Sequence, residues 1–423
     1  MPTNNNSRSA SGLEQAELKN AGLLSLEKSA GLTTSLDNSL PGSSAPGSLE
    51  DNPLVFPISP SLEFPTLPPV GSNNPNPNPY LTSAAVVPDF NGDGKTDKMW
   101  VNVQTGEILV RLMDGTRVIE QASLGQYDLT TWDYKIADFN SDNKTDFLLR
   151  NQQTGENLVV LMDGTRVANF VALDRVDPGW NAQIGDFNGD RKTDIFWRNN
   201  QTGENAIWEM NGTTVTNATR LETTDLALTA TIVDFDGNGK SDIFWRNNTT
   251  GENSAWFMDG SNATTYDLQS QDASWVATLG DFNGDFRTDL LWRNTSTGEN
   301  KIWTMSGVFV TEGVVNTLGL DWTANIGDFN SDGKTDIFWH NATTGENTAW
   351  LMDGTSISSE AFLPSNSPGY TASLGDYNGD GKTDVYWRDQ QTGADKIWNM
   401  DGTLATENLI AEEDKLTPEW YTA

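Results

Sequence analysis

The chain has 423 residues, and 59 Asp and Glu against 26 Lys and Arg give it a formal charge of -33. Such an acidic chain lacks the basic surface that binds the phosphate backbone of nucleic acids, which argues against nucleic acid as a partner. It has no Cys and one His, His340, so disulfides, thiolate nucleophiles, Cys-based zinc sites and His-based triads are not expected. No apolar run reaches the roughly 20 residues of a membrane-spanning helix, and no secretion signal follows Met1.

The composition changes near Tyr80. Residues 1–80 hold 12 of the 17 Pro and none of the 16 Trp. A segment so poor in apolar residues cannot bury enough apolar surface to offset the conformational entropy that it would lose on folding. We therefore expect a mostly disordered, Pro/Ser/Asn-rich tail. The capping-box pattern Ser11-Gly12-Leu13-Glu14 predicts a short helix near 12–28, with a transient helix lacking any partner as the alternative. Residues 81–423 are expected to form the folded domain.

Seven copies of one pattern fill the folded part, and they begin at Asp89, Asp138, Asp186, Asp234, Asp281, Asp328 and Asp376. A period of 47 to 49 residues indicates a supersecondary unit that needs its neighbours. The third copy predicts four short strands, at Trp180–Gly185, Ile195–Arg198, Ala206–Met210 and Thr214–Thr219. Asn211-Gly212 between the last two is a strong hairpin signal, and the other copies carry Asp-Gly or Ser-Gly there.

These repeats predict an all-β fold, a seven-bladed β-propeller of four-stranded antiparallel blades. The Trp residues that recur on the second and third strands are predicted to fill the core between blades. The end of the chain, Trp420–Ala423, is in register with the first strand of other copies. Two alternatives stay open: this segment completes the blade that begins at Ser83, or it competes with Ser83–Val87 for that place.

Each copy also contains a nine-residue loop of the form D-x-[ND]-x-[DN]-x-[KR]-x-D. Side-chain oxygens at positions 1, 3, 5 and 9 and a backbone carbonyl at position 7 form an oxygen cage that suits Ca²⁺ better than Mg²⁺. The alternative is a set of polar Asx-type turns without a metal. Up to seven calcium ions are predicted, one per blade. The predicted ligands are Asp89, Asn91, Asp93, Lys95, Asp97, Asp138, Asn140, Asp142, Lys144, Asp146, Asp186, Asn188, Asp190, Lys192, Asp194, Asp234, Asp236, Asn238, Lys240, Asp242, Asp281, Asn283, Asp285, Arg287, Asp289, Asp328, Asn330, Asp332, Lys334, Asp336, Asp376, Asn378, Asp380, Lys382 and Asp384.

Two positions of the loop give finer predictions. The Lys or Arg at position 7 is expected to point its side chain to water while its carbonyl faces the ion. Position 6 must turn sharply, as the Gly of an EF-hand loop does, and a left-handed conformation costs a residue with a Cβ about 1 kcal/mol. Arg191 and Phe286 at this position therefore predict the weakest sites, although Phe286 is alternatively an exposed ligand contact.

Asp-Phe-Asn-Gly-Asp-Gly-Lys-Thr-Asp at 89–97, the apolar-Trp-Arg-Asn strand and the Trp-x-Met-x-Gly hairpin resemble FG-GAP/VCBS repeat proteins. This family includes integrin α-chain propellers and propeller-shaped fungal lectins. The resemblance covers about 81–423 and implies a seven-bladed propeller with calcium between the first two strands of each blade. It also implies extracellular recognition of glycans or proteins. The chain departs from the pattern at Lys98, at Leu149 in place of Trp, and at Gly393-Ala394-Asp395.

No constellation breaks the repeat in the way that a single catalytic site requires, so an enzyme is not expected. His340 stands where other copies carry Arg, and we interpret it as a neutral variant of a surface position. The favoured hypothesis is a calcium-binding, extracellular or cell-surface module that binds carbohydrate through inter-blade grooves of Trp, Asn, Gln and Arg. The alternative is a structural or adhesion scaffold that binds proteins, and a polysaccharide-cleaving enzyme is the least favoured.

Overall fold

The computed structural model describes residues 87–128 and 130–422, which form seven four-stranded antiparallel sheets. The predicted seven-bladed β-propeller is therefore confirmed. The predicted tail and its helix near 12–28 lie outside the described residues. We number the blades by their loops, so that blade 1 contains the loop beginning at Asp89 and blade 7 the loop beginning at Asp376.

The strands of blades 2 to 7 are hydrogen-bonded in sequence order from the first to the fourth, and in blade 1 the last strand of the chain takes the first place. The first strands of blades 1 to 7 are β28 (Trp420–Thr422), β4 (Trp132–Ala137), β8 (Trp180–Gly185), β12 (Leu228–Val233), β16 (Trp275–Gly280), β20 (Trp322–Gly327) and β24 (Tyr370–Gly375). The second strands are β1 (Lys98–Asn102), β5 (Asp146–Asn151), β9 (Asp194–Asn199), β13 (Asp242–Asn247), β17 (Asp289–Asn294), β21 (Asp336–Asn341) and β25 (Asp384–Asp389).

The third strands are β2 (Glu107–Asp114), β6 (Asn157–Asp163), β10 (Asn205–Asn211), β14 (Asn253–Asp259), β18 (Asn300–Ser306), β22 (Asn347–Asp353) and β26 (Asp395–Asp401). The fourth strands are β3 (Arg117–Gln126), β7 (Arg166–Leu173), β11 (Thr214–Leu221), β15 (Asn262–Leu268), β19 (Phe309–Val315), β23 (Ser356–Leu363) and β27 (Leu404–Leu409). A short 3₁₀ turn spans Glu412–Asp414. Within the described part of the chain, no helix has both the length and the apolar character needed to cross a membrane.

The tryptophans of the second and third strands lie in the core between blades, as predicted. Trp197 and Trp208 pack edge to face with ring centroids 5.1 Å apart, and both are buried. Burying such large rings is a major source of stability, because each removes an extensive apolar surface from water. The same pair recurs as Trp245 with Trp256 and as Trp292 with Trp303.

A buried arginine on the second strand joins most blades to the next blade. In blade 3, the Arg198 guanidinium donates to Asn205 Oδ1 of its own blade and to the Leu228 carbonyl of blade 4. It also lies 4.8 Å above the centroid of Trp245 in blade 4. Hydrogen bonds from a charged donor and cation–π contact both strengthen away from water, so this arginine holds adjacent blades together. The equivalent pairs are Arg150 with Trp197, Arg246 with Trp292, Arg293 with Trp339 and Arg388 with Trp100.

His340 occupies the equivalent place in blade 6, so the prediction of a surface position is wrong. Its side chain is 6% exposed, its Nδ1 lies 2.8 Å from Asn347 Oδ1, and its ring packs 5.0 Å from that of Trp387. Burial lowers the pKa of His340, because the charged imidazolium loses solvation. The residue is therefore a neutral substitute for the arginine that joins the blades elsewhere.

The last strand of the chain closes the ring. β28 pairs with β1 in blade 1, with Trp420 opposite Asn102 and Thr422 opposite Trp100. The Pro88 carbonyl accepts a 2.6 Å hydrogen bond from the Asp97 N–H, at the place where Gly185 faces Asp194 in blade 3. Pro88 and Trp420–Thr422 thus occupy successive parts of one first-strand position, and Trp420–Thr422 completes the first blade.

Candidate metal centres in the blade loops

The predicted ligands lie in seven equivalent loops between the first and second strands. In blade 3 the loop runs from Asp186, directly after β8, to Asp194, the first residue of β9. The Asp186 carboxylate organises this loop: Oδ1 accepts from the Gly189 N–H at 2.7 Å and Oδ2 accepts from the Arg191 N–H at 2.7 Å. The bond from position 6 to the position 1 carboxylate is present in all seven loops. The sequence pattern therefore folds into one recurring geometry.

Positions 3 and 5 continue the turn. Asn188 Oδ1 accepts from the Asp190 N–H at 2.8 Å, and Asp190 Oδ1 accepts from the Lys192 N–H at 2.9 Å. These are Asx-type bonds, and alone they also fit the metal-free alternative. Position 9 bears on the choice between the two interpretations.

The position 9 carboxylate is buried without a cationic partner. Asp194 is fully buried, and its two oxygens accept from the N–H groups of Phe187 and Met210 at 3.0 and 2.7 Å. Among the described residues, no position 9 aspartate forms an ion pair with Lys, Arg or His. Burial raises the pKa to about 7 at Asp97, Asp146, Asp194 and Asp384, and to about 8 at Asp242, Asp289 and Asp336. The two backbone donors stabilise the buried carboxylate in part, and a bound cation would stabilise its ionised form further.

The geometry of blade 4 tests whether these residues fit a metal. Carboxylate oxygens of Asp234, Asp236 and Asp242, at positions 1, 3 and 9, lie within 4.8 Å of one another. The other six loops carry Asn at position 3. In blade 4 each carboxylate oxygen of Asp234 and Asp242 accepts one backbone bond and keeps a second lone pair, so an all-oxygen donor set remains available there. In the other six loops Oδ1 of the position 1 aspartate accepts at least two backbone bonds, as Asp186 Oδ1 does from Gly189 and Asp190. The donor set of blade 4 fits a hard divalent cation, and Ca²⁺ is the ion that such clusters prefer.

The side chain at position 7 does not extend freely into water, so that expectation is wrong. Lys334 and Lys382 each donate to the aspartate of the hairpin between the third and fourth strands, Asp353 and Asp401, at 2.7 Å. The same contact joins Lys95 to Asp114, Lys144 to Asp163, Lys192 to Asn211 and Lys240 to Asp259. Arg287 instead binds Asp285 and the Asp236 carbonyl. The sequence signal for this contact was the recurring acid of the Asp-Gly hairpin.

The left-handed conformation predicted at position 6 is confirmed. Arg191 and Phe286 have φ of 66° and 67°. The structure adds a requirement that the sequence analysis missed, because position 4 is also left-handed, and Ser141 and Ser331 occupy it with φ of 61° and 60°. In the loop of blade 2, both left-handed positions are occupied by residues with a side chain, Ser141 and Asn143. This loop therefore joins those expected to bind calcium weakly.

Replacing Phe286 with Gly is expected to tighten calcium binding at the blade 5 loop by up to about tenfold, because it removes about 1 to 1.4 kcal/mol of strain. Calorimetric titration with calcium measures the change. Gly94→Ala is the matched control: its added Cβ meets no atom within 4 Å, so it introduces conformational strain alone and should weaken binding. Unchanged affinity in Phe286→Gly would refute the role of strain, and lost partner binding would support the contact role of this exposed side chain.

Comparisons with known proteins agree with this architecture. The FG-GAP-like repeat family matches residues 186–245, 234–292, 281–339 and 328–387. Each match runs from a position 1 aspartate to the second-strand tryptophan of the following blade. No curated protein matches the chain.

The solved structures that resemble the chain share little sequence with it. A lectin from Agrocybe aegerita, described as recognising non-reducing terminal N-acetylglucosamine, has a TM-score of 0.62 and 13% identity over 81% of this chain and 98% of that chain. A nidogen/laminin complex has a TM-score of 0.35 and 13% identity over 62% of this chain and 92% of that chain. At such identities the first likeness shows the fold alone. The chain thus contains four FG-GAP-like repeats within a propeller of seven four-stranded blades.

Proposed function

We propose that the protein is a calcium-binding extracellular recognition module whose ligand is carbohydrate. The observation that carries the calcium part is the set of buried position 9 carboxylates without a cation, together with the convergence of Asp234, Asp236 and Asp242. Loops of this kind suit millimolar extracellular calcium better than the submicromolar calcium of the cytosol. The ions would hold the loops in shape and would not take part in a reaction.

The carbohydrate part rests on a groove between the outer strands of blades 5 and 6. It has a volume of about 480 Å³ and is lined by Val314, Val315, Asn316, Thr355, Ser356, Ile357, Ser358, Ser359 and Glu360. Asn316 Nδ2 donates to Glu360 Oε2 at 2.8 Å, so an amide and a carboxylate meet there. Hydroxyl, amide and carboxylate groups converging in one groove are the donors and acceptors that sugar hydroxyls need. The lectin with the same fold adds support by analogy.

The groove differs from the one that the sequence suggested. The inter-blade tryptophans and most of the arginines are buried against one another, so they offer no face to a ligand. The candidate surface lies instead on the Ser- and Thr-rich outer strands. The proposed recognition surface is therefore formed by residues that vary between copies and not by the repeated ones.

A protein partner is the second candidate function, and one observation favours it. Val314 on the outer strand of blade 5 and Phe362 at the equivalent position of blade 6 are 76% and 78% exposed, and Phe309, at the other end of the blade 5 strand, is 76% exposed. Large apolar side chains exposed near one another mark protein interaction surfaces. The residues that favour each candidate function therefore lie on the same outer strands of blades 5 and 6.

A glycan array probed with the full chain in millimolar calcium tests the carbohydrate proposal. Binding to a defined glycan is expected, and Glu360→Ala or Asn316→Ala should weaken it at least about tenfold, because each removes hydrogen bonds of the groove. Asn217→Ala, an exposed change on the outer strand of blade 3, is the matched control and should bind normally. Binding to no glycan, with capture of a purified extracellular protein, would support the scaffold function instead.

A further inference from the structure

The residue at position 8 of each loop is Thr or Ser in all seven copies, and the sequence analysis gave it no role. The structure places it against the preceding blade. In blade 5, the Thr288 N–H donates to the Asp234 carbonyl at 2.7 Å, and Thr288 Oγ1 accepts from the Asp234 N–H at 2.9 Å. Both backbone groups of a position 1 ligand in blade 4 are thus bound by one residue of blade 5.

The same pair of bonds is made to four of the seven position 1 residues. The Thr145 N–H donates to the Asp89 carbonyl and the Thr145 hydroxyl accepts from the Asp89 N–H, both at 2.8 Å. Ser241 makes the same two bonds to Asp186 at 2.6 and 2.9 Å. Thr335 makes both bonds to Asp281 at 2.6 and 2.8 Å.

At the other three position 1 residues, the Thr193 hydroxyl donates to the Asp138 carbonyl, and the N–H groups of Thr96 and Thr383 donate to the carbonyls of Asp376 and Asp328. The contact always runs from position 8 of one blade to position 1 of the preceding blade. It is therefore directional.

The hairpin of the following blade adds a second contact to the same segment. The Gly307 N–H of blade 5 donates to the carbonyl of Phe235, the residue after Asp234, at 2.9 Å. Gly260 of blade 4 contacts Phe187 of blade 3 in the same way at 2.8 Å. Positions 1 and 2 of a loop are therefore held by the next blade, whereas positions 3 to 7 are held mainly by bonds within the loop, and in blade 4 Arg287 of the next blade adds a bond to the position 3 carbonyl of Asp236.

We propose that the position 8 residue, where its hydroxyl accepts from the position 1 N–H, is a positioning residue for the metal loop of the preceding blade, so that the calcium sites of blades 1, 3, 4 and 5 each depend on the blade that follows. The inference rests on the proposed calcium binding. The position 1 carboxylate is the group around which the loop folds, and its backbone is buried at Asp234. A hydroxyl that fixes this backbone from outside the loop fixes the direction of the carboxylate as well. Independent repeats would lack such coupling.

Thr288→Val tests the proposal, because it removes the hydroxyl and keeps the shape and the backbone bond. The Asp234 N–H is then buried without its acceptor, and the affinity of one bound calcium ion is expected to fall about fivefold or more. Competition with a chromophoric calcium chelator measures this. Thr383→Val is the matched control, since among the described residues the Thr383 hydroxyl has no hydrogen-bond partner, and its calcium affinity should be unchanged.

Two backgrounds show which site is affected. Asn283→Ala disables the loop that contains Thr288, and Asp236→Ala disables the preceding loop. The loss caused by Thr288→Val should persist with Asn283→Ala and disappear with Asp236→Ala. The reverse pattern, or normal calcium binding by Thr288→Val, would overturn the inference while calcium binding stands. A wild-type chain that binds no calcium would overturn both proposals.

Discussion

Removing calcium with a chelator is expected to lower the melting temperature of the propeller by about 10 to 15 °C. At free calcium about ten times Kd, each site contributes about 1.4 kcal/mol by mass action, and seven sites contribute about 10 kcal/mol. A domain of this size unfolds with an entropy of about 0.7 kcal/mol per degree, which converts that free energy into the stated shift. Calorimetry with and without chelator measures it.

The control for this prediction is magnesium at the same concentration. Mg²⁺ demands octahedral geometry and keeps several of its own waters, so it should restore little of the lost stability. Identical melting temperatures with calcium and with chelator would show that the loops are polar turns. In that case the buried position 9 carboxyls would be held by their backbone donors alone, as Asp194 is by Phe187 and Met210.

The fold could be predicted because every copy of the repeat carries the same strand and hairpin patterns. In blade 3 the predicted strands Trp180–Gly185 and Ala206–Met210 correspond to β8 and β10, and the Asn211-Gly212 turn lies where the hairpin turns. Hairpin signals and apolar alternation act over a few residues, so one copy suffices to read them. The recurring loop geometry could be predicted for the same reason, because the side-chain acceptors that organise each loop lie within nine residues.

Contacts between blades were not predictable in this way, and the departures of blades 1 and 2 illustrate why. Val101 and Ile108 occupy the places that Arg198 and Asn205 hold in blade 3, and Leu149 of blade 2 occupies the place of Trp197. All three pack in one apolar cluster. Leu149 lacks an indole because blade 1 offers no guanidinium to stack on it. From sequence alone, Leu149 was an isolated exception.

Lys98 is a second departure whose partners lie far away in the chain. It is buried, its Nζ donates to Ser373 Oγ at 2.5 Å, and it lies 4.1 Å above the ring of Tyr386. Burial lowers the pKa of Lys98 to about 7. Tyr386 stands where blade 3 has Phe196. The exchanges at Lys98 and Tyr386 therefore form one contact at the junction of blades 7 and 1, where the Lys98–Ser373 hydrogen bond joins residues 275 positions apart.

That junction also determines how the ring closes, because Arg388 of blade 7 reaches the last strand of the chain. Its guanidinium donates to the carbonyls of Thr417 and Trp420 at 2.8 and 3.0 Å and stacks on Trp100 at 4.7 Å. Its partner on the third strand is Asp395, at 3.0 Å, where blade 3 has Asn205. A buried ion pair that loses part of its surroundings is costly, because a charge then remains poorly solvated.

Deleting residues 419–423 is therefore expected to destabilise the propeller by about 5 kcal/mol or more. The deletion removes the strand pairing with Trp100 and Asn102, the Trp420 carbonyl that Arg388 binds, and the half-buried Trp420 ring. Each lost hydrogen bond costs about 1 kcal/mol, and exposing the aromatic surface costs about 2 to 3 kcal/mol. Denaturant unfolding followed by tryptophan fluorescence measures the loss.

Tyr421→Thr is the matched control for the deletion. It leaves the strand in place and introduces the residue that Thr229, Thr323 and Thr371 provide at the equivalent positions, so stability should stay near that of the wild type. If the truncated chain is too unstable to purify, adding a peptide of residues 416–423 during refolding should restore soluble protein, because the missing strand is supplied in trans. A truncated chain that unfolds at the wild-type denaturant concentration would show that blade 1 does not need β28.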